Sequence, residues 1–128
     1  MTPMPGSPMT AIAVFCGGSL GALARYGLGE WLAPVGQVVG ATVVANLLGS
    51  AILGVLAGMA ARRGERGLAW SLMGVGFSGA LTTFSTFAVE AITIFDQGGP
   101  TAAAVYVGGS VLAGLWVASA ARRRSLAW

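Results

Sequence analysis

The stretch Gly74-Val75-Gly76-Phe77-Ser78-Gly79-Ala80-Leu81-Thr82-Thr83-Phe84-Ser85-Thr86-Phe87-Ala88-Val89-Glu90 lies inside a chain that is apolar almost from end to end. Three glycines (Gly74, Gly76, Gly79) lead into the hydroxyls of Thr82, Thr83, Ser85 and Thr86. Phe84 and Phe87 stand three apart, and Glu90 follows one turn later. A glycine-interrupted span of this kind predicts a discontinuous helix, because a break bares carbonyls at the end of one half and N–H groups at the start of the next. Such backbone is tolerated at membrane depth only where it lines a cavity or meets another polar element. The stretch therefore favours an ion site over plain packing.

The surrounding composition agrees. Of 128 residues, 55% are apolar, 9% are charged, 21 are Gly and none is His; mean hydropathy is +0.80. Soluble domains carry about 25% charged residues and about 7% Gly, so this chain has too few ionised groups for a water-facing surface. Crossing a ~30 Å hydrocarbon layer takes ~20 apolar residues. The pattern predicts an all-α membrane protein forming one transmembrane domain over residues 1–128. Four transmembrane helices are expected near 9–32, 38–61, 68–95 and 101–121, the third of them broken. Small residues recur four apart at Gly17/Gly21, Gly36/Gly40, Gly54/Gly58 and Gly109/Ala113. In lipid such faces let helices associate by close backbone approach. Four spans leave little interior for polar groups, so an oligomer is expected.

Inventory excludes much chemistry. With no His, one Cys (Cys16) and scattered acids (Glu30, Glu65, Glu90, Asp96), one subunit can build neither a clustered metal site nor an acid–base pair. The absence of Lys removes the phosphate-cradling lysine loop. The chain reads as no enzyme. Cys16, in an apolar stretch, reads as a small hydrophobe. Met1 to Thr10 carries Pro3, Pro5 and Pro8 but no positive charge, which is not the start of a cleavable signal. Among the Arg residues, Arg62, Arg63, Arg66, Arg122, Arg123 and Arg124 fall at span ends, which makes them topology signals and not a nucleic-acid surface. Across four spans these six share one side with both termini, against no Arg in the other loops. Both termini are thus expected in the cytoplasm, with the chain in the cell's inner (plasma) membrane.

Two polar residues interrupt the apolar helices. Arg25 either snorkels to the headgroups or sets a fixed positive charge at a pore mouth. Asn46 offers an amide that lipid cannot satisfy; an interhelical hydrogen bond and a role in an ion path are equally good readings. Phe84 and Phe87 pack as an ordinary pair or turn their positive ring edges toward an anion. With Thr83, Ser85 and Thr86 as neutral donors and Asn46 beside them, they outline a route for a small, strongly hydrated anion. Glu90 opposes an anion at its own level unless it is protonated or hydrogen-bonded to hydroxyls.

Three segments carry a resemblance: Gly17-Gly18-Ser19-Leu20-Gly21-Ala22-Leu23-Ala24-Arg25-Tyr26, Asn46-Leu47-Leu48-Gly49-Ser50 and Gly79-Ala80-Leu81-Thr82-Thr83-Phe84-Ser85-Thr86-Phe87. In this order, across essentially the whole chain, they resemble the Fluc/CrcB fluoride channels of microbial membranes. The resemblance implies a fluoride-selective channel built as an antiparallel dimer, with two pores between the subunits. It implies that Asn46, Phe84 and Phe87 line the fluoride path, the rings edge-on to the anion, and that Arg25 lies near the vestibule. Glu90 and the hydroxyls of Thr83, Ser85 and Thr86 would be the polar surroundings of the pore, with Tyr106 and Ser110 as a polar track. Main-chain carbonyls at Gly79 and Thr82 would hold a central structural Na⁺ that is not transported.

Departures from the family pattern carry their own expectations. Ser78-Gly79-Ala80 replaces the usual Cys-Gly-Gly, and Ala80 would resist a positive φ. Gly114 follows Tyr106 and Ser110, shortening the track by one hydroxyl. The one-sided Arg distribution predicts a single insertion orientation, hence an oppositely oriented paralogue as partner, with a homodimer as the counter-reading. The alternative class, a small multidrug transporter, would need a proton-coupling Glu on helix one. No acid lies between Met1 and Gly29.

Overall fold

The computed structural model describes residues 7–32, 38–64 and 66–127. Among these, helices are the only regular secondary structure. Helix α1 spans Pro8–Leu32 and α2 spans Val38–Arg63. A π-helix, Trp70–Ser78, runs directly into a single turn, α3, Gly79–Leu81. After a break, α4 runs Ser85–Leu126. Three stretches are long and apolar enough to cross a membrane: Pro8–Leu32, Gly40–Arg63 and the 57 residues Trp70–Leu126.

That last stretch is not straight. Gly99 has φ 79° and ψ 178°, a conformation open essentially to glycine alone, and Pro100 follows it. The Tyr106 hydroxyl donates to Glu90 Oε2 at 2.5 Å across a separation of 16 residues. A continuous helix would hold these residues about 24 Å apart. The chain therefore doubles back at Gly99, and α4 consists of two packed arms, 85–98 and 100–126.

Contacts give each helix its direction. Along α1 and the π-helix they advance together, Gly17 meeting Leu72 and Gly21 meeting Phe77, so these two are parallel. Along α2 they run the other way, with Thr42 on Glu90, Asn46 on Thr83 and Gly49 on Thr82. Between α2 and the second arm they advance together again, from Ser50 and Gly114 through Gly54 and Ala118 to Gly58 and Ser125. The helices alternate up and down. The Gly17/Gly21 and Gly54/Gly58 faces are used as the spacing predicts: a Cβ built at Gly17 would fall on the Leu72 carbonyl, and one at Gly54 on that of Ala118. A Cβ at Gly109 would meet none of the described residues, so Gly109 itself makes no close helix approach among them. Gly36, and with it the Gly36/Gly40 pair, lies outside the described residues.

The interior is small. Among the described residues only Ala13, Ala45 and Leu81 are buried apolar residues, while Phe15, Trp31, Phe84 and Trp116 are each more than 70% exposed. Such a surface suits lipid and partner helices, not water. Helices α2 and α4 both end on arginines, Arg62 and Arg63 on one, Arg123 and Arg124 on the other, where the negative ends of the helix dipoles favour them. Arg62 Nη1 donates to the Ser125 carbonyl at 3.3 Å, tying the two ends together.

The break falls later than the glycines suggest. Gly74, Gly76 and Gly79 are all helical, and the chain leaves the helix at Thr82, which is extended at φ −77° and ψ 154°. One of them serves close approach instead: a Cβ at Gly76 would press on the Val14 carbonyl of α1, whereas one at Gly74 would make ordinary contact. Ala80 sits in a helical turn, and no described non-glycine residue has positive φ, so its side chain brings no strain to the break.

Candidate functional site

An interrupted helix must satisfy the groups it bares, and three side chains do so here. Asn46 of α2 pairs with Thr83 as one strand residue pairs with another: its Nδ2 donates to the Thr83 carbonyl at 3.2 Å, and its Oδ1 accepts the Thr83 N–H at 2.9 Å. Thr83 Oγ1 accepts the Thr86 N–H at 3.3 Å and donates to Thr86 Oγ1 at 3.2 Å, capping the first turn of α4. Arg25 Nε donates to the Ala80 carbonyl at 3.1 Å from the α1 side. Asn46 thus makes the interhelical bond of one sequence reading, and its side chain borders a groove.

The consequence for the carbonyls is specific. In an unbroken helix the N–H groups of Thr83 and Thr86 would pair with the carbonyls of Gly79 and Thr82. They donate to Asn46 Oδ1 and Thr83 Oγ1 instead. The two carbonyls named by the resemblance are thus among those whose helical partners have been diverted. Neutral main-chain oxygens of this kind are ligands for a hard cation. The residues present fit a Na⁺ held by backbone oxygens.

Beside the break runs a groove of about 450 Å³. Asn46, Thr82, Thr83, Phe84, Phe87 and Ser110 line it, with Ser50 and apolar residues of α2 and the second arm of α4. Phe84 is 81% exposed. Its ring centroid lies 6.4 Å from that of Phe87, which lies 5.2 Å from that of Tyr106, so the three rings form a tilted row. No Arg reaches the groove lining.

Glu90 is buried beyond the end of this row. Thr42 Oγ1 donates to its Oε1 at 2.6 Å and Tyr106 to its Oε2. The carboxyl thus has the hydroxyl partners that the sequence demands of it. Among the described residues no buried side-chain nitrogen or oxygen lacks a hydrogen-bond partner.

Of the sequence-derived site residues, Asn46, Thr83, Phe84, Phe87 and Ser110 converge on the groove. Tyr106 and Glu90 join through the Phe87 ring and the carboxyl. Ser85 and Thr86 belong to the hydroxyl cluster around Thr83 and are not in the groove lining, and Arg25 binds the break from α1. Two participants were missed. Thr42 and Ser50 stand one turn either side of Asn46, so the spacing 42, 46, 50 marks one polar stripe on α2. Ser50 Oγ lies 3.5 Å from where a Gly114 Cβ would be, placing a hydroxyl at the level where the Tyr106–Ser110 track runs out.

Comparison with known proteins bears on the whole helical region. The family model described as CrcB-like protein, Camphor Resistance (CrcB), matches residues 12–122. A Bacillus subtilis protein named fluoride-specific ion channel FluC 2 is 43% identical over 103 residues, covering 80% of this chain and 77% of its own length. A Symbiobacterium thermophilum protein of the same name is 40% identical over 118 residues, covering 90% and 96%. The FluC channel of Methylobacterium nodulans is 40% identical over 109 residues, covering 84% and 88%. This chain belongs to the CrcB-like family, whose members are membrane ion channels and not enzymes.

Proposed function

We propose that this protein is a fluoride-selective channel that lets cytoplasmic fluoride leave the cell passively and so limits its toxicity. The observation that carries the reading is the groove in which Asn46, Ser50, Ser110 and the Phe84–Phe87 pair converge without a fixed cation. Fluoride must shed a strong hydration shell. Neutral donors and ring edges replace that shell without trapping the ion as a full positive charge would. The names of the relatives point to the same anion.

The chain crosses the membrane four times, the arms 85–98 and 100–126 being separate crossings, and it pairs antiparallel with a second subunit. The groove is open on one side and Phe84 is largely uncovered; a second subunit across the break would close both into pores. The Gly79 and Thr82 carbonyls, met by their counterparts on the two-fold axis, would hold the structural Na⁺, a hard cation that would give the bared oxygens a partner. The one-sided arginines set both termini in the cytoplasm of the inner membrane and favour an oppositely oriented paralogue as partner over a second copy of this chain. A multidrug-transporter mechanism finds no coupling acid in the described part of α1 before Glu30.

Fluoride and chloride efflux from liposomes holding this chain alone, then with an oppositely oriented paralogue, tests the reading. Fast fluoride flux with negligible chloride flux is expected, and flux only with the partner supports the heterodimer. Phe84→Ile and Phe87→Ile keep bulk and remove the ring quadrupole. Unchanged fluoride flux in both variants would overturn the ring-edge path. Substantial populations of C-terminal reporter fusions on both membrane faces would overturn the fixed orientation.

A further inference from the structure

The arginine end holds a second cavity, remote from the break. It encloses about 530 Å³ between the last turns of α2 and α4 and the start of the π-helix, and is lined by Ala57, Ala60, Ala61, Gly64, Arg66, Trp70 and Arg122. Its floor is small and apolar; its rim is cationic. The Arg66 guanidinium lies 4.4 Å from the Trp70 ring centroid, a cation–π contact that engages its face and not its N–H edge. Neither Arg66 nor Arg122 donates a side-chain hydrogen bond to another described residue, whereas Arg62 is committed to Ser125. Arg63 and Arg66 both border a smaller cavity beside Trp70. Glu65, the acid in this turn of the sequence, lies outside the described residues.

From this geometry we infer a binding site for a phosphate-bearing anion, held by Arg66 and Arg122 at the membrane surface with Trp70 beside it. Guanidinium forks match phosphate oxygens, an interfacial Trp marks headgroup depth, and basic pockets between membrane helices suit anionic headgroups. The shared chemistry is the phosphate; its source is an anionic phospholipid or free phosphate. This site goes beyond the proposed channel function and does not depend on it.

The test is native mass spectrometry of the intact protein after exchange into phosphatidylglycerol or phosphatidylcholine, with equilibrium dialysis against labelled inorganic phosphate as a second arm. The double variant Arg66→Gln/Arg122→Gln is compared with Arg124→Gln, which alters a different cavity beside Trp116; circular dichroism checks that each is folded. Retained phosphatidylglycerol is expected to fall by about tenfold or more in the double variant, as for the loss of two headgroup-facing cations, and to persist in Arg124→Gln. Phosphate binding lost in the same pattern without lipid retention would identify free phosphate as the source. Binding of neither probe, or equal losses in both variants, would overturn the site.

Discussion

Replacing Asn46 with Leu tests whether the break depends on a side chain borrowed from α2. Leu has a similar branched shape but is larger, so the change removes the hydrogen bonds without leaving a cavity, and the groove beside Asn46 has room for the added bulk. It leaves the Thr83 N–H and C=O, now held at 2.9 and 3.2 Å, without partners. A buried backbone group left unpaired costs roughly 1–3 kcal/mol. Side-chain bonds in membrane proteins, measured directly, average about 0.6 and reach about 1.7 kcal/mol. Asn46 borders an open groove, where water can replace part of the loss, so the lower scale governs and two bonds sum to about 1–3 kcal/mol. The N–H freed from Asn46 would also be able to return to the Gly79 carbonyl, straightening the helix and closing the break. Unfolding in mixed micelles should show the destabilisation, and liposome efflux should show fluoride flux reduced by roughly tenfold or more, equivalent to ~1.4 kcal/mol or more. Stability within about 0.5 kcal/mol of the parent, a difference too small for even one lost bond of average size, together with undiminished flux, would refute the reasoning.

Other perturbations read out different contacts. Gly54→Ala drives a Cβ into the Ala118 carbonyl and should cost about 1–3 kcal/mol as overpacking, while Gly109→Ala meets open space and should be neutral or slightly stabilising in the same unfolding assay. Tyr106→Phe keeps the ring beside Phe87 but removes a donor to Glu90; a loss of about 0.6–1.7 kcal/mol is expected for one side-chain bond in a membrane protein, and no measurable loss would show that the hydroxyl is dispensable. Gly99→Ala places a Cβ at φ 79° and should cost about 1–3 kcal/mol, with a cysteine pair bridging the two arms of α4 cross-linking less readily.

The helical membrane fold was legible because hydropathy and glycine spacing act locally. Gly17/Gly21 and Gly54/Gly58 sit four apart because they pack backbone on backbone, and that period survives in the sequence. The position of the break was less legible. Glycine marks both a broken helix and a close crossing, and at Gly76 the neighbouring carbonyl on α1 makes it the second; no local feature of 74–79 tells them apart. Thr82, by contrast, leaves the helix with an ordinary extended φ that any residue tolerates. Asn46 was recognised as out of place, yet its partner lies 37 residues away and follows only from how α2 crosses the break. Thr42 and Ser50 were overlooked because a lone hydroxyl in an apolar helix can bond its own preceding turn; the 42, 46, 50 stripe was the signal that distinguished them.

The scarcity of buried apolar residues inverts an ordinary relation between side-chain size and tolerance to change. In a water-soluble core the largest residues are the least replaceable. Here Phe15, Trp31 and Trp116 face outward, and where lipid is their only neighbour other apolar side chains can take their place. The irreplaceable positions are the smallest ones, Gly17, Gly21, Gly54 and Gly58, where one added methyl displaces a helix. A saturation scan of this chain would therefore trace its architecture in the glycines and hydroxyls, while the bulky apolar residues drift with the composition of the membrane around them.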